Sequence, residues 1–232
     1  MINDIINILV LLPSQHVIYG MLSTVLCIAG AWIYGNCSQR VRLVILYTIG
    51  YLVVFNEIVF QLYMIYYGIW SPNTSLPLEL CYISALLIPI YARNKDNRDL
   101  KNWFFFAGFG GSLFAFINTN LSEQEHIYVS IHYFFAHGLV IFIMLSIVLD
   151  GYRPVWKDYF NTIKWTIVLL VIILIINSLL GSNYMFTFEK PAGVNFTLLM
   201  PEWPYYYLIM LSIGLSFYTI MMLASNFLTK EK

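Results

Sequence analysis

Charge is what this chain has least of. Only 10% of its 232 residues are Asp, Glu, Lys or Arg, and they cancel to a formal net charge of +0. The basic residues are dispersed instead of forming one patch, which excludes nucleic acid as a partner. Cysteine is scarce too. Cys27, Cys37 and Cys81 show no CxxC and no Cys/His ligand spacing, so neither a disulfide framework nor a structural zinc site is indicated. No GxGxxG follows a strand, and GxxxxGK[ST] and HExxH are missing, so no metal or nucleotide cofactor is implied. Linkers and low-complexity runs are also lacking. The longest polar stretch, RNKDNRDLK from Arg93 to Lys101, is a tight turn, and a single domain over 1–232 is expected. Residues 1–13 carry Asp4 and no basic n-region, so they read as an interfacial helix ending at Pro13 instead of a cleavable leader.

What the chain has in abundance is apolar surface: 60% of residues are hydrophobic and 18% aromatic, more than the single core of a soluble domain can hide. Seven stretches are long enough to cross a bilayer, roughly 17–35, 42–69, 76–92, 102–119, 126–149, 160–181 and 203–227. The basic residues fall in alternate connections. Arg40 and Arg42 lie between the first and second stretches; Arg93, Lys95, Arg98 and Lys101 between the third and fourth; Arg153, Lys157 and Lys164 around the start of the sixth; Lys230 and Lys232 after the seventh. The remaining connections and the N-terminus hold only Lys190. Because Lys and Arg are retained on the cytoplasmic side, the expected fold is all-α and polytopic, with seven transmembrane helices, N-terminus out and C-terminus in.

Polar groups inside these spans carry the functional information. In NEIVFQLY, Glu57 lies about 18 Å from the outer end of the second span, near mid-membrane, with Gln61 four residues on and Asn56 beside it. An ionisable side chain at that depth faces the bundle interior, either as a hydrogen-bonded tie between helices or as part of a site. The fifth span holds His132 about 9 Å and His137 about 16 Å below His126, separated by about 140° around the helix, so they do not act on one atom together. Pro77 suits a first helical turn, which puts Cys81 about 6 Å below the start of the third span, where the positive end of a helix favours a thiolate. Packing explains Cys27 and Cys37, and by position alone packing also competes for Cys81. Glu79 falls on nearly the opposite face from Cys81. AGFGGS at 107–112 offers a small-residue surface for close helix approach or for a lipid chain. Asn118, Asn120, Asn183, Tyr184 and Lys190 add polar groups on the same side as Cys81. The loop after Gly181, about 20 residues long, is of the length that serves as a lid or binding surface.

LPLELC at 76–81, FFAHGLVI at 134–141 and SNYMFTFEKP with MPEWPYYY within 182–207 together resemble the signature regions of the YwaF family, bacterial seven-span membrane proteins related to animal transmembrane protein 164. The resemblance runs in order over nearly the whole chain. It implies an acyltransferase of the bacterial plasma membrane that moves a fatty acyl chain from a phospholipid to a lysophospholipid, with a cysteine and a histidine at the centre. Carried over by motif, these are Cys81 and His137.

In the resulting mechanism His137 takes the Cys81 proton, the thiolate attacks a lipid ester, and the acyl-thioester passes to a lysolipid hydroxyl or to water. Asn56 or Glu57 would orient the histidine, and Asn183 would stabilise the oxyanion. Gln61, Glu79, Tyr184 and Lys190 are candidates to contact substrate, and membrane phospholipids and lysophospholipids are the expected partners. Straight-helix arithmetic favours His132 over His137, at depths about 3 Å and about 10 Å from that of Cys81; the motif favours His137. A lipid hydrolase with the same pair, a transporter using Glu57, Gln61, His132 and His137, and a non-catalytic lipid-binding protein remain alternatives.

Overall fold

The computed structural model describes residues 13–118, 121, 126–192 and 195–230, with the side chains of 228–230 excepted. The expected interfacial helix of 1–13 lies outside these residues apart from Pro13, as do Asn120 and Lys232. Among the described residues there is no strand. Seven helical segments follow in order: α1 (Ser14–Asn36), α2 (Gln39–Tyr66), α3 (Leu80–Arg93), α4 (Arg98–Ile117), α5 (Ile127–Leu149), α6 (Trp156–Leu180) and α7 (Tyr205–Lys230). Six are long and apolar enough to cross a membrane, and α3 is a shorter apolar helix of 14 residues, about 21 Å long. The molecule is a multi-pass membrane protein.

Lipid exposure separates the helices. In α1, α2, α6 and α7 only 11–17% of the apolar window is buried, and Met21, Trp32, Phe55, Phe160 and Leu223 stand outward. Such surfaces are stable only where the solvent is hydrocarbon. In α5 the buried share is 67%, because α1, α2, α3 and α4 all pack against it. A polar side chain on α5 therefore meets protein in almost any direction. Small residues allow this crowding. A Cβ at Gly138 would come 2.5 Å from Ser23 Oγ on α1, and one at Gly50 of α2 would come 2.9 Å from Pro89 Cα on α3. At that crossing Cys27 Sγ lies 3.1 Å from the Gly138 carbonyl oxygen, to which it donates, so this cysteine packs two helices together.

The ends are fastened by different chemistry. At the end bearing Arg42 and Arg98, Asp150 accepts from Tyr34 (2.7 Å) and Arg42 (2.8 Å), and Arg42 also donates to the carbonyls of Tyr34 and Gly35 at the end of α1 and of Cys37 just beyond it. That places a cation on the negative end of α1. Nearby, Asp158 accepts from Arg98, from Asn102 (3.1 Å) and from the Val155 amide that opens α6 (2.8 Å), while Tyr152 donates to Asn102. The opposite end is built from the loops before α3 and after α6. Gly181, at φ +64°, terminates α6, and Asn177 receives the amide of Tyr184 and donates to the Tyr184 carbonyl and to Thr187.

Within α4 the backbone widens to a π-turn at Phe104–Gly108 before resuming as Phe109–Ile117. Nothing in the sequence pattern signals this turn, which re-aims every later side chain of the helix.

Candidate active site

Pro77 was expected inside the third span, but α3 begins only at Leu80. The chain before it is a run of turns, with Ser75 N bonded to Ser71 O (2.8 Å) and Leu78 N to Leu76 O (2.8 Å). A proline disfavours helical geometry at the residue before it, so the preceding chain cannot simply continue as helix. Cys81 is consequently the second residue of α3, at the helix start instead of a turn below it. Glu79 occupies the N-cap but does not cap; its carboxylate accepts instead from the amide of Met185, 2.9 Å away. Among the described residues no carbonyl oxygen accepts from the amides of Leu80, Cys81 or Tyr82. The amides of Cys81 and Tyr82 interact with the Cys81 thiol itself. Amides of this kind, without carbonyl partners, make a helix start attractive to negative charge.

Both α5 histidines are buried, and their hydrogen bonds assign them different tautomers. His137 Nδ1 lies 2.6 Å from the Tyr133 carbonyl, which can only accept. Nδ1 therefore carries the proton, and the lone pair sits on Nε2, where no hydrogen bond among the described residues engages it. His132 is arranged the other way. Its Nδ1 accepts from the Asn56 amide at 2.9 Å, leaving Nε2–H directed at Glu57 Oε2, 3.7 Å away. The His132 ring is clamped between Phe60, stacked at 3.7 Å, and Tyr82 at 5.2 Å. Tyr82 also meets the His137 ring edge-on at 5.5 Å, and Tyr133 covers the other flank at 4.2 Å. The residue after Cys81 thus touches both imidazoles. No hydrogen bond among the described residues joins Cys81 Sγ to either of them.

The supporting groups are distributed otherwise than expected. Asn56 and Glu57, anticipated beside His137, engage His132, because that face of α2 meets α5 one and a half turns nearer its start. Glu57, Gln61, Glu79, Tyr82, His132 and Tyr184 line one cavity of about 60 Å³. Gln61 is held there by Glu57 (2.6 Å), Ser75 O (2.7 Å) and Trp70 (2.7 Å). Tyr184 donates to Pro72 O (2.7 Å) and accepts from Leu76 N (3.0 Å); burial raises its hydroxyl above the ordinary tyrosine value, so it stays a neutral donor. Three of the four expected substrate contacts share this cavity. Lys190 does not line it: its ammonium is tied to Met200 O and Glu202, both at 2.8 Å. Asn183 is likewise spent within its own loop, accepting from the amides of Phe188 and Glu189 and donating to Glu189 O (2.8 Å). Cys81 and His137 stand behind Tyr82, outside the lining.

Three residues near this centre escaped the sequence reading. Tyr82 could have been suspected as the immediate neighbour of Cys81. His16 reaches from α1 to donate from Nε2 to Phe116 O (2.9 Å), and its ring lies 6.4 Å from Tyr133. Its helix face looks apolar in sequence, and only the crossing with α5 places it here. Ser112 reads as part of a small-residue surface, yet its hydroxyl is buried without a partner.

A family profile described as TMEM164 family matches residues 11–222. No curated protein and no solved structure matches this sequence. The match spans almost the whole chain, from the start of α1 into α7, and includes Cys81 and His137: this protein belongs to the TMEM164 family.

Proposed function

We propose that the protein is an acyltransferase that moves a fatty acyl chain between membrane phospholipids and lysophospholipids through a thioester on Cys81. The observation that carries this reading is the tautomer of His137. Its Nε2 lone pair is unshared and its ring meets Tyr82, the neighbour of Cys81, whereas the lone pair of His132 is consumed by Asn56. A general base needs a free lone pair, so chemistry favours His137 even though depth arithmetic favoured His132.

The Cys81 proton passes to His137 Nε2, and the thiolate bonds to the ester carbonyl carbon of a phospholipid. The oxyanion is received by amides at the start of α3. The carbon–oxygen ester bond then breaks, His137 returns the proton to the departing lysophospholipid oxygen, and an acyl-thioester remains. A lysophospholipid hydroxyl then gives its proton to the same Nε2 and bonds to the acyl carbon; the carbon–sulfur bond breaks, and His137 returns the proton to the departing Cys81 sulfur. Water in that second step would make the reaction a hydrolysis. The gap between thiol and imidazole closes in this scheme when lipid binds, as catalytic contacts commonly tighten in the complex. The cavity of about 60 Å³ beside Tyr82 does not include Cys81 or His137, and in this scheme the ester reaches Cys81 while the acyl tail stays among lipid.

By the distribution of basic residues, we place the N-terminus outside and the C-terminus inside, with Cys81 in the outer leaflet; the resemblance to the YwaF family supports a bacterial plasma membrane. A second reading, a transporter using Glu57, Gln61 and His132, draws on the polar lining of the same cavity. One experiment separates the two. Purified protein is incubated in phosphatidylethanolamine and phosphatidylglycerol vesicles carrying deuterated acyl chains together with the corresponding lysolipids, and acyl migration is followed by mass spectrometry. Transfer by wild type that disappears in Cys81→Ala is expected; equal transfer in the variant rejects the thioester route.

A further inference from the structure

Ser112 is fully buried at 0% exposure, and its Oγ has no hydrogen-bond partner, not even the carbonyl one turn back to which helical serines ordinarily bond. A buried hydroxyl without a partner is costly, so its position is informative. Neighbouring contacts fix that position. On α4, a Cβ at Gly111 would lie 3.3 Å from Leu80 and 3.8 Å from the Cys81 amide nitrogen. One at Gly108 would lie 3.1 Å from Val140 on α5 and 3.5 Å from Ser84 on α3. Nearer the loop end, Tyr133 of α5 donates to Ala115 O of α4 at 2.9 Å. The two helices therefore run antiparallel, with 108 opposite 140 and 115 opposite 133. Ser112, one turn beyond Gly108 and about 40° around from it, falls opposite 136 and 137. It stands level with His137 on one side and with the start of α3 on the other.

An unused donor at that place complements an acceptor that exists only during reaction. We propose that Ser112 is a further catalytic residue: its hydroxyl donates to the carbonyl oxygen of the lipid ester while that carbon is bonded to Cys81, completing an oxyanion site with the amides of Cys81 and Tyr82. The proposal rests on the acyl-transfer reading. Ser112 moves no proton in it; its hydrogen bond forms as the carbonyl becomes tetrahedral and is released when the carbonyl is restored. The π-turn at Phe104–Gly108 is the device that aims it, since without the widened turn the later residues of α4 would present a different face to α3 and α5.

The test compares wild type, Ser112→Ala, Ser112→Cys and Cys81→Ala in the vesicle assay above, with melting measured in mild detergent. Ser112→Ala is expected to lower kcat on the order of 10²-fold at unchanged KM, with an unchanged pH midpoint of the rate and a melting temperature equal to or above wild type. Ser112→Cys, nearly isosteric and a weaker donor, should fall between. Unchanged turnover in Ser112→Ala overturns the proposal, as does a loss that tracks a lowered melting temperature, a change confined to KM, or a shifted pH midpoint, which would show action through His137. If Cys81→Ala transfers acyl chains as well as wild type, the acyl-transfer reading itself has failed and the role of Ser112 falls with it. Cysteine-dependent transfer that ignores Ser112 rejects this inference alone.

Discussion

Two polar clusters lie at opposite ends of the same bundle, and they differ in how completely their hydrogen bonds are made. Around Asp158 and Asp150, the carboxylates accept from Arg98, Asn102, Val155, Tyr34 and Arg42, and Arg42 also covers the end of α1. Around Cys81, the amides of Leu80, Cys81 and Tyr82 have no carbonyl partner, and the Nε2 of His137 and the hydroxyl of Ser112 have no hydrogen-bond partner, among the described residues. Both clusters sit in surroundings where an unmade hydrogen bond is costly. The first is assembled to hold helices; the second, in the proposed reaction, supplies donors and a lone pair to the bound ester. The contrast separates structural from chemical polar groups without reference to residue type, since each end has buried polar side chains.

Substitutions that exchange the expected consequences of the two ends would break this contrast. The largest effect is expected at His137. Changing it to Gln, which keeps a polar group of comparable size but no base, should abolish acyl transfer in the vesicle assay while shifting the melting midpoint by less than about 2 °C; a variant that melts much earlier would make the ring a packing element. At the other end, Asp158→Ala leaves the Asn102 side chain and the Val155 amide without their acceptor, and should cost about 2–3 kcal/mol, read as an earlier unfolding midpoint, with turnover per folded molecule unchanged. Arg42→Lys keeps the charge but loses the fork that reaches Asp150 and three carbonyls together; about 1 kcal/mol of lost stability is expected in the same measurement. Asn56→Ala should have the smallest effect. Freeing the buried His132 lone pair should cost no more than about 1 kcal/mol of stability and lower transfer by no more than about tenfold, equivalent to about 1.4 kcal/mol. Complete loss of activity there would move the base from His137 to His132.

The helices were readable because apolar runs of transmembrane length leave few alternatives, and their boundaries in the structure lie within a few residues of those expected for α1, α2, α5 and α7. The starts of α3, α4 and α6 each lie four residues from expectation, and that of α3 bears on the site. Pro77 favours either a first helical turn or the chain before a helix, and the contacts of Glu79 with Met185 and of Tyr184 with Pro72, across more than a hundred residues, accompany the second. That difference moved Cys81 to the helix start. The polar candidates in α2 and α5 were readable as residues but not as partners: Asn56, Glu57 and His132 meet only where the two helices cross. Lys190 and Asn183 looked available because a loop's internal hydrogen bonds leave little trace in local pattern.

By itself the sequence determined that this chain lives in lipid, that it crosses repeatedly as helices, and which few ionisable groups are carried inside, because hydrocarbon penalises every unpaired backbone group and every charge over a length the chain spells out residue by residue. Only the tertiary structure decided which of these groups remain unpartnered. That depends on helix rotation, on the widened turn in α4 and on close approach at Gly50 and Gly138, all of which arise where faces far apart in sequence come into contact and compete for the same space.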